Sequence, residues 1–219
     1  ALCGGVSIAT VCVILIFLLQ WVAFVPACLL KTERFYDLMG SLTFISMCLL
    51  SLLLVYRFDP RSLLLTTFLI LWASRLGWFL FSRMKISVGD SRFDTIKDKP
   101  SRFFLVWTMQ GVWVTVCIAP VLATITSQSE VGLSFMDALG IFLASLGFFI
   151  ELLADHQKRV HRYRYGTERF ICSGLWRFSR HPNYFGEILF WFGIVVIAFP
   201  AMRGFSYVSA IVPIFVYLL

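Results

Sequence analysis

Residues 6–30 read VSIATVCVILIFLLQWVAFVPACLL, an apolar run without one charged side chain. A helix of roughly 17–25 apolar residues spans the hydrocarbon of a bilayer. The run is too long for the core of a signal peptide and has neither a basic flank nor a small-residue cleavage site. It therefore reads as a first membrane span. Similar runs follow at Leu38–Tyr56, Ser62–Phe81, Phe103–Ile125, Ser134–Leu153, Tyr184–Pro200 and Phe205–Leu219. Seven spans are predicted.

Composition agrees. The chain is 59% hydrophobic and 14% charged, with a mean hydropathy of +0.85, whereas a soluble domain carries about a quarter charged residues. The 23 Phe and 7 Trp suit lipid-facing and interfacial positions. The expected fold class is all-α, a polytopic membrane helix bundle of about seven transmembrane helices. It is expected to form a single transmembrane domain over residues 1–219. The chain starts at Ala1 and ends inside the apolar run PIFVYLL, so a continuation past Leu219 is expected.

Charge placement orients the bundle. Loops after the first, third and fifth spans hold fifteen Lys and Arg residues, between Lys31 and Arg34, Arg83 and Arg102, and Lys158 and Arg180. Loops on the opposite side hold three, Arg57, Arg61 and Arg203, and Arg75 lies within the third span. The positive-inside rule puts the basic loops in the cytoplasm and the N-terminus outside it. The net charge of +7 thus serves topology and attraction to anionic lipid headgroups, and nucleic-acid binding is not expected.

Several chemistries lack their residues. The six Cys form no C-x-x-C pair, and no metal site or disulfide framework is suggested. Three His, at 156, 161 and 181, are too few for a His-rich di-iron centre. No Lys lies within a span, and neither a P-loop nor G-x-G-x-x-G occurs.

Three segments break the apolar background, and ionisable groups at membrane depth are expensive enough to mark function. In LGFFIELLADHQKRVHRYRYG (146–166), Glu151, Asp155, Arg159 and Arg162 share one helical face. Their bland reading is a set of i,i+4 ion pairs on a helix leaving the membrane. In SGLWRFSRHPNYFGEILFWFGI (173–194), Pro182 pushes His181 out of helical geometry and can occupy the first turn of the sixth span. Arg177, Arg180 and His181 then converge on a helix N-terminus, a setting for an anion, with Asn183, Tyr184 and Glu187 in the next turns. Their bland reading is headgroup snorkelling by the arginines and an interhelical ion pair for Glu187. In LWASRLGWFLFSRMKISVGDSRFDTIKDKPSRFF (71–104), Arg75 and Arg83 fall on one face, and the loop GDSRFDTIKDKP either covers a site or is solvated. Together the segments suggest a cation-rich cavity at the cytoplasmic ends of spans three, five and six. Tyr163, Tyr165, Trp176 and Tyr184 could flank a planar ring there.

The run GLWRFSRHPNYFGEILFW, with ELLADHQKR and SRFDTIKD before it, resembles the DUF1295 group, related to the steroid 5-alpha-reductase and sterol-reductase membrane enzymes. The resemblance covers the chain from about Phe35-Tyr36-Asp37-Leu38-x-Gly40 onward and is most specific in spans three to six, the cofactor-type half being about 62–200. It implies NADPH held at the cytoplasmic ends of the spans, with Glu151, Asp155, Arg159 and Arg162 on one cofactor-contacting helix. Arg177, Arg180, His181, Asn183, Tyr184 and Glu187 would form the second strip. The implied activity is an oxidoreductase acting on CH–CH groups, with hydride transfer to a lipophilic conjugated enone, sterol-like or isoprenoid-like. A shorter R-H-P-x-Y-x-G element also occurs in membrane methyltransferases such as isoprenylcysteine carboxyl methyltransferase, where it helps bind S-adenosylmethionine. Where steroid reductases use a Tyr for the substrate carbonyl, Trp72 stands here beside Arg75, an N–H donor without a labile acid proton. Trp72, Arg75 and Arg83 are the expected cavity lining, and no catalytic residue is assigned. A non-catalytic lipid-binding membrane protein is the third reading. Expected partners are the bilayer and a lipophilic small molecule, in the endoplasmic reticulum of a eukaryote or the inner membrane of a bacterium.

The charge split makes the first test. In a cysteine-free background, Arg34→Cys, Lys99→Cys and Arg169→Cys should react with a membrane-impermeant maleimide from the cytoplasmic face, and Asp59→Cys and Arg203→Cys from the other; the reverse pattern would overturn the orientation.

Overall fold

The computed structural model describes residues 2–3, 6–56, 58–86, 93–127, 131–166 and 169–218. A short antiparallel pairing of Leu2–Cys3 (β1) with Val6–Ser7 (β2) leads into α1, Ile8–Leu29. Then follow α2 (Tyr36–Val55), α3 (Pro60–Ile86), α4 (Pro100–Thr126), α5 (Phe135–Tyr165), α6 (Pro182–Ala198) and α7 (Val212–Leu218). Among the described residues, six helices are long and apolar enough to cross a membrane. The chain is a multi-pass membrane protein.

The expected seventh span departs from the other six. Gly204–Leu218 is a shorter apolar helix whose first part, Gly204–Ile211, is 3₁₀ and only Val212–Leu218 is α. The change comes just before Pro213, whose ring removes a backbone donor. Leu219 lies outside the described residues.

The chain forms two compact units, residues 1–130 and 131–219. The first holds α1–α4. Its interior is aromatic: Trp72 of α3 meets Phe44 of α2 edge-on at 5.5 Å, and Phe44 meets Trp113 of α4 at 5.1 Å. A second aromatic group joins Tyr36, Phe93, Phe103 and Trp107, packed on Ala23 and Ala27 of α1.

Polar ties close the same end of this unit. Lys31, just past α1, reaches Asp98, just before α4, at 2.9 Å. Lys97 lies 3.6 Å from Glu33 and 3.1 Å from Asp94. Lys31 holds the Asp98 carboxyl below its ordinary range, and the hydrogen bond to Asp94, with Glu33 nearby, raises the Lys97 ammonium. These pairs bring the loops after the first and third spans to one end of the unit, as the charge split requires of them.

The second unit is built on α5 and α6, which run antiparallel with their backbones in near contact. Gly140, Ala144, Gly147 and Glu151 recur at helical spacing on α5, opposite Gly186, Phe190, Gly193 and Ile197 on α6. A Cβ on Gly186 would lie 2.6 Å from the Glu151 backbone N and 2.8 Å from the Gly147 O. A Cβ on Gly147 would overlap the Phe190 N and lie 2.6 Å from the Gly186 O. Lipid tails are as apolar as Leu, so helices in a bilayer gain most by close packing through small residues. α5 starts in a capping box, Asp137 accepting from the Ser134 N at 2.7 Å and Oγ at 2.9 Å.

Gly147→Ala should destabilise the second unit by about 1–3 kcal/mol, the usual cost of forcing a methyl group into packed backbone. Gly132→Ala, where a Cβ meets nothing within 4 Å, should change little. Thermal unfolding of the two variants in one detergent checks this, and equal midpoints would refute the close-packing account.

Candidate functional site

At 31 residues, α5 is about 46 Å long, longer than the hydrocarbon core of about 30 Å. The charged residues lie in its second half. Glu151 and Asp155 are buried, at 4% and 8% exposure, and Arg159 and Arg162 are exposed. Glu151 is buried because its turn of α5 lies against Gly186, where no side chain intervenes. The predicted face is thus continuous, with acids at the inner end and arginines at the outer. Arg159 turns to His156 rather than along that face, with Nη2 donating to Nδ1 at 3.3 Å.

After α5 ends at Gly166, with φ +75°, the described part of the connection returns along the helix. His161 Nε2 lies 3.1 Å from the Arg169 carbonyl. The Leu175 N–H donates to Gln157 Oε1 at 3.0 Å, and the Trp176 indole donates to the Ala154 carbonyl at 3.1 Å. Lys158 Nζ lies over the Trp176 ring at 5.2 Å. Gly174, at φ +62°, lets this strand press on Gln157, for a Cβ there would sit 2.5 Å from Nε2. Gln157 and Gly174 are positioning residues that sequence reading passed over. A polar side chain three residues past Ala154 on α5, and a Gly opening a 3₁₀ turn, were the available signals.

The returning strand delivers Arg177, Arg180 and His181 to the head of α6. His181 is the N-cap residue with non-helical geometry (φ −141°, ψ 60°), and Pro182 takes the first turn, as its sequence predicts. The His181 side chain does not cap the helix; its backbone N–H donates to Ser179 Oγ at 3.1 Å. The first-turn amides of α6 therefore have no N-cap side chain as acceptor. The His181 ring stacks on Tyr184, centroids 5.2 Å apart and planes within 12°. Asn183 Oδ1 is enclosed without a hydrogen-bond donor among the described residues. Glu187 is half-buried one turn on, and Trp191 is fully buried beyond it.

Cation availability distinguishes this end. The guanidiniums of Arg162, Arg177 and Arg180 belong to exposed residues and make no ion pair or side-chain hydrogen bond among the described residues. Glu151, Asp155 and Glu187 each have electrostatic or hydrogen-bond neighbours. Among the described residues no three His, Cys, Asp or Glu side chains gather as a metal site.

Trp72, Arg75 and Arg83 belong to the first unit. Trp72 is fully buried in the aromatic group with Phe44 and Trp113, so here it acts as a packing residue. Arg75 is half-buried with its Nε enclosed. Arg83 lies in the last turns of α3, and its side chain is outside the description, as are residues 87–92 of the loop that follows.

No curated protein and no solved structure shows significant similarity to the chain. One family does: the sequence profile of DUF1295, described as a protein of unknown function, matches residues 23–219. That span takes in α2–α7, with both segments that form the head of α6, and the chain belongs to the DUF1295 family.

Proposed function

We propose that the chain is a membrane-embedded reductase that binds NADPH at the α5–α6 end and reduces a conjugated enone on a lipophilic substrate. One observation carries the reading. Three arginines without partners among the described residues, 162, 177 and 180, belong to the same helical hairpin as two buried carboxylates, Glu151 and Asp155.

The residues fit such a nucleotide part by part. Guanidiniums and uncapped amides at the head of α6 suit phosphate oxygens, since planar N–H pairs and the helix dipole both favour anions. Carboxylates accept from ribose hydroxyls or an amide N–H. The stacked His181–Tyr184 pair offers a face to a planar ring. Bound here, NADPH would supply a hydride. The chain's own part is to bind, orient and exclude water. α5 and α6 share a rigid backbone contact, so the Glu151 level of the site is held without a flexible loop.

Charge separates this reading from the methyltransferase one. S-adenosylmethionine is a sulfonium cation with a single carboxylate, which leaves at least two of the three arginines without an anion. NADPH carries phosphates on both sugars and suits all of them.

The test is nucleotide binding to the protein in detergent, by calorimetry with NADPH, NADH, S-adenosylmethionine and S-adenosylhomocysteine in parallel. NADPH should bind. Arg180→Ala should weaken it about 10- to 100-fold, the value of one charge-assisted hydrogen bond of about 1.5–3 kcal/mol. Glu187→Gln should also weaken binding while leaving the unfolding midpoint in place. Unchanged NADPH affinity in both variants, or binding of S-adenosylmethionine and S-adenosylhomocysteine alone, would overturn the proposal.

A further inference from the structure

The first unit carries a group of buried polar atoms remote in sequence from the nucleotide segments. α1, α2 and α4 meet around a short strip of α2. Gln110 of α4 donates through Nε2 to the Tyr36 carbonyl at 3.0 Å. Gly40 allows this, since a Cβ there would overlap the Gln110 amide. One turn along α2, Thr43 Oγ1 accepts from Gln20 Nε2 of α1 at 2.9 Å and donates to the Met39 carbonyl at 2.7 Å. Gly111 brings the two glutamines' helices together, a Cβ there lying 3.6 Å from Gln20 Cγ. Trp107 stands one turn before Gln110 on α4, its ring against Tyr36 at 5.1 Å.

Three polar atoms of this group have no hydrogen-bond partner among the described residues: Gln20 Oε1, Gln110 Oε1 and Trp107 Nε1. Their residues are 0%, 6% and 0% exposed. Neither amide can be turned over to remove the deficit. Reversing Gln110 sets its oxygen against the Tyr36 carbonyl, and reversing Gln20 sets its oxygen against lone pairs of Thr43, whose proton goes to Met39. Two acceptors and one donor thus face a low-dielectric interior, where a polar group left unpaired is destabilising. Their complement is an oxygen that accepts one hydrogen bond and donates one or two.

We infer that α1, α2 and α4 enclose a binding site for a hydroxyl oxygen, that of a water molecule or of a membrane alcohol, held by Trp107 Nε1, Gln110 Oε1 and Gln20 Oε1. Water satisfies all three groups; an alcohol satisfies the indole and one carboxamide. The site is independent of the nucleotide reading, because its residues belong to the first unit and recognise a neutral group. It gives the bundle a means of recognising the polar end of an otherwise apolar molecule.

The test uses the whole chain in phosphatidylcholine nanodiscs, with 1-tetradecanol, 1-methoxytetradecane and tetradecane as probes. The Trp107 indole N–H resonance, assigned through Trp107→Phe, supplies a second readout. If the source is a membrane alcohol, tetradecanol alone raises the unfolding midpoint by several degrees and moves the Trp107 resonance. Gln20→Leu with Gln110→Leu removes both effects. With water as the source, tetradecanol has no effect, and the Trp107 N–H shows a cross-peak to a bound water that the double variant loses. Gln20→Met, similar to Gln in size, serves if the double variant does not fold. Absence of both the alcohol effect and the water cross-peak in the wild type would overturn the inference.

Discussion

The near contact of the α5 and α6 backbones determines where the charged groups of the second unit can be. Glycines at 140, 147, 186 and 193 remove the side chains that would hold two helices apart. In hydrocarbon this contact replaces the hydrophobic driving force that joins helices in water. Its consequence for chemistry is local. Glu151 continues the glycine row on α5, so the row's geometry buries its carboxylate at the Gly186 turn instead of leaving it to face lipid. Arg159 and Arg162, two and three turns further, are exposed.

The two units solve the problem of polar groups in a membrane by different means. In the first, Lys31, Glu33, Asp94, Lys97 and Asp98 tie one another in the loops at one end of the bundle, while Arg61 and Arg75 lie on α3. Its interior carries neutral amides and hydroxyls on a background of Trp and Phe. In the second, carboxylates enter the helical interior and arginines gather at its mouth.

Much of this was legible in the sequence because it rests on local rules. Apolar runs located six long helices, and Pro182 marked the start of α6 correctly. The basic loops after the first and third spans do lie at one end of their unit, because Lys31 and Lys97 find acids across it. What was not legible depended on partners distant in sequence. Gln157 reads as one polar residue among several on α5, yet it anchors Leu175 across eighteen positions. The glycine row became visible only when the opposite helix supplied the other half. Trp72 was read as a possible substrate-facing residue from its nearness to Arg75; only packing from α2 and α4 shows it as core. The last apolar run met the length expected of a span on composition, but its 3₁₀ beginning is a backbone property that hydropathy does not encode.

The charge pattern carries more than topology. A positive-inside bias requires only that Lys and Arg be on the cytoplasmic side, in any arrangement. Lys97 and Lys31 are paired to acids. Arg162 on α5, and Arg177 and Arg180 on the strand that returns along it, have no partner among the described residues, and two hydrogen bonds between side chain and backbone and a cation–π contact hold that strand against α5. Holding exposed guanidiniums on an ordered strand costs side-chain and backbone entropy that topology does not need. Snorkelling to headgroups would be served as well by arginines on a loose loop. An ordered strand, a Gly174 shaped to press on Gln157, and an uncapped helix start together favour a ligand with several fixed negative charges over a fluid anionic surface.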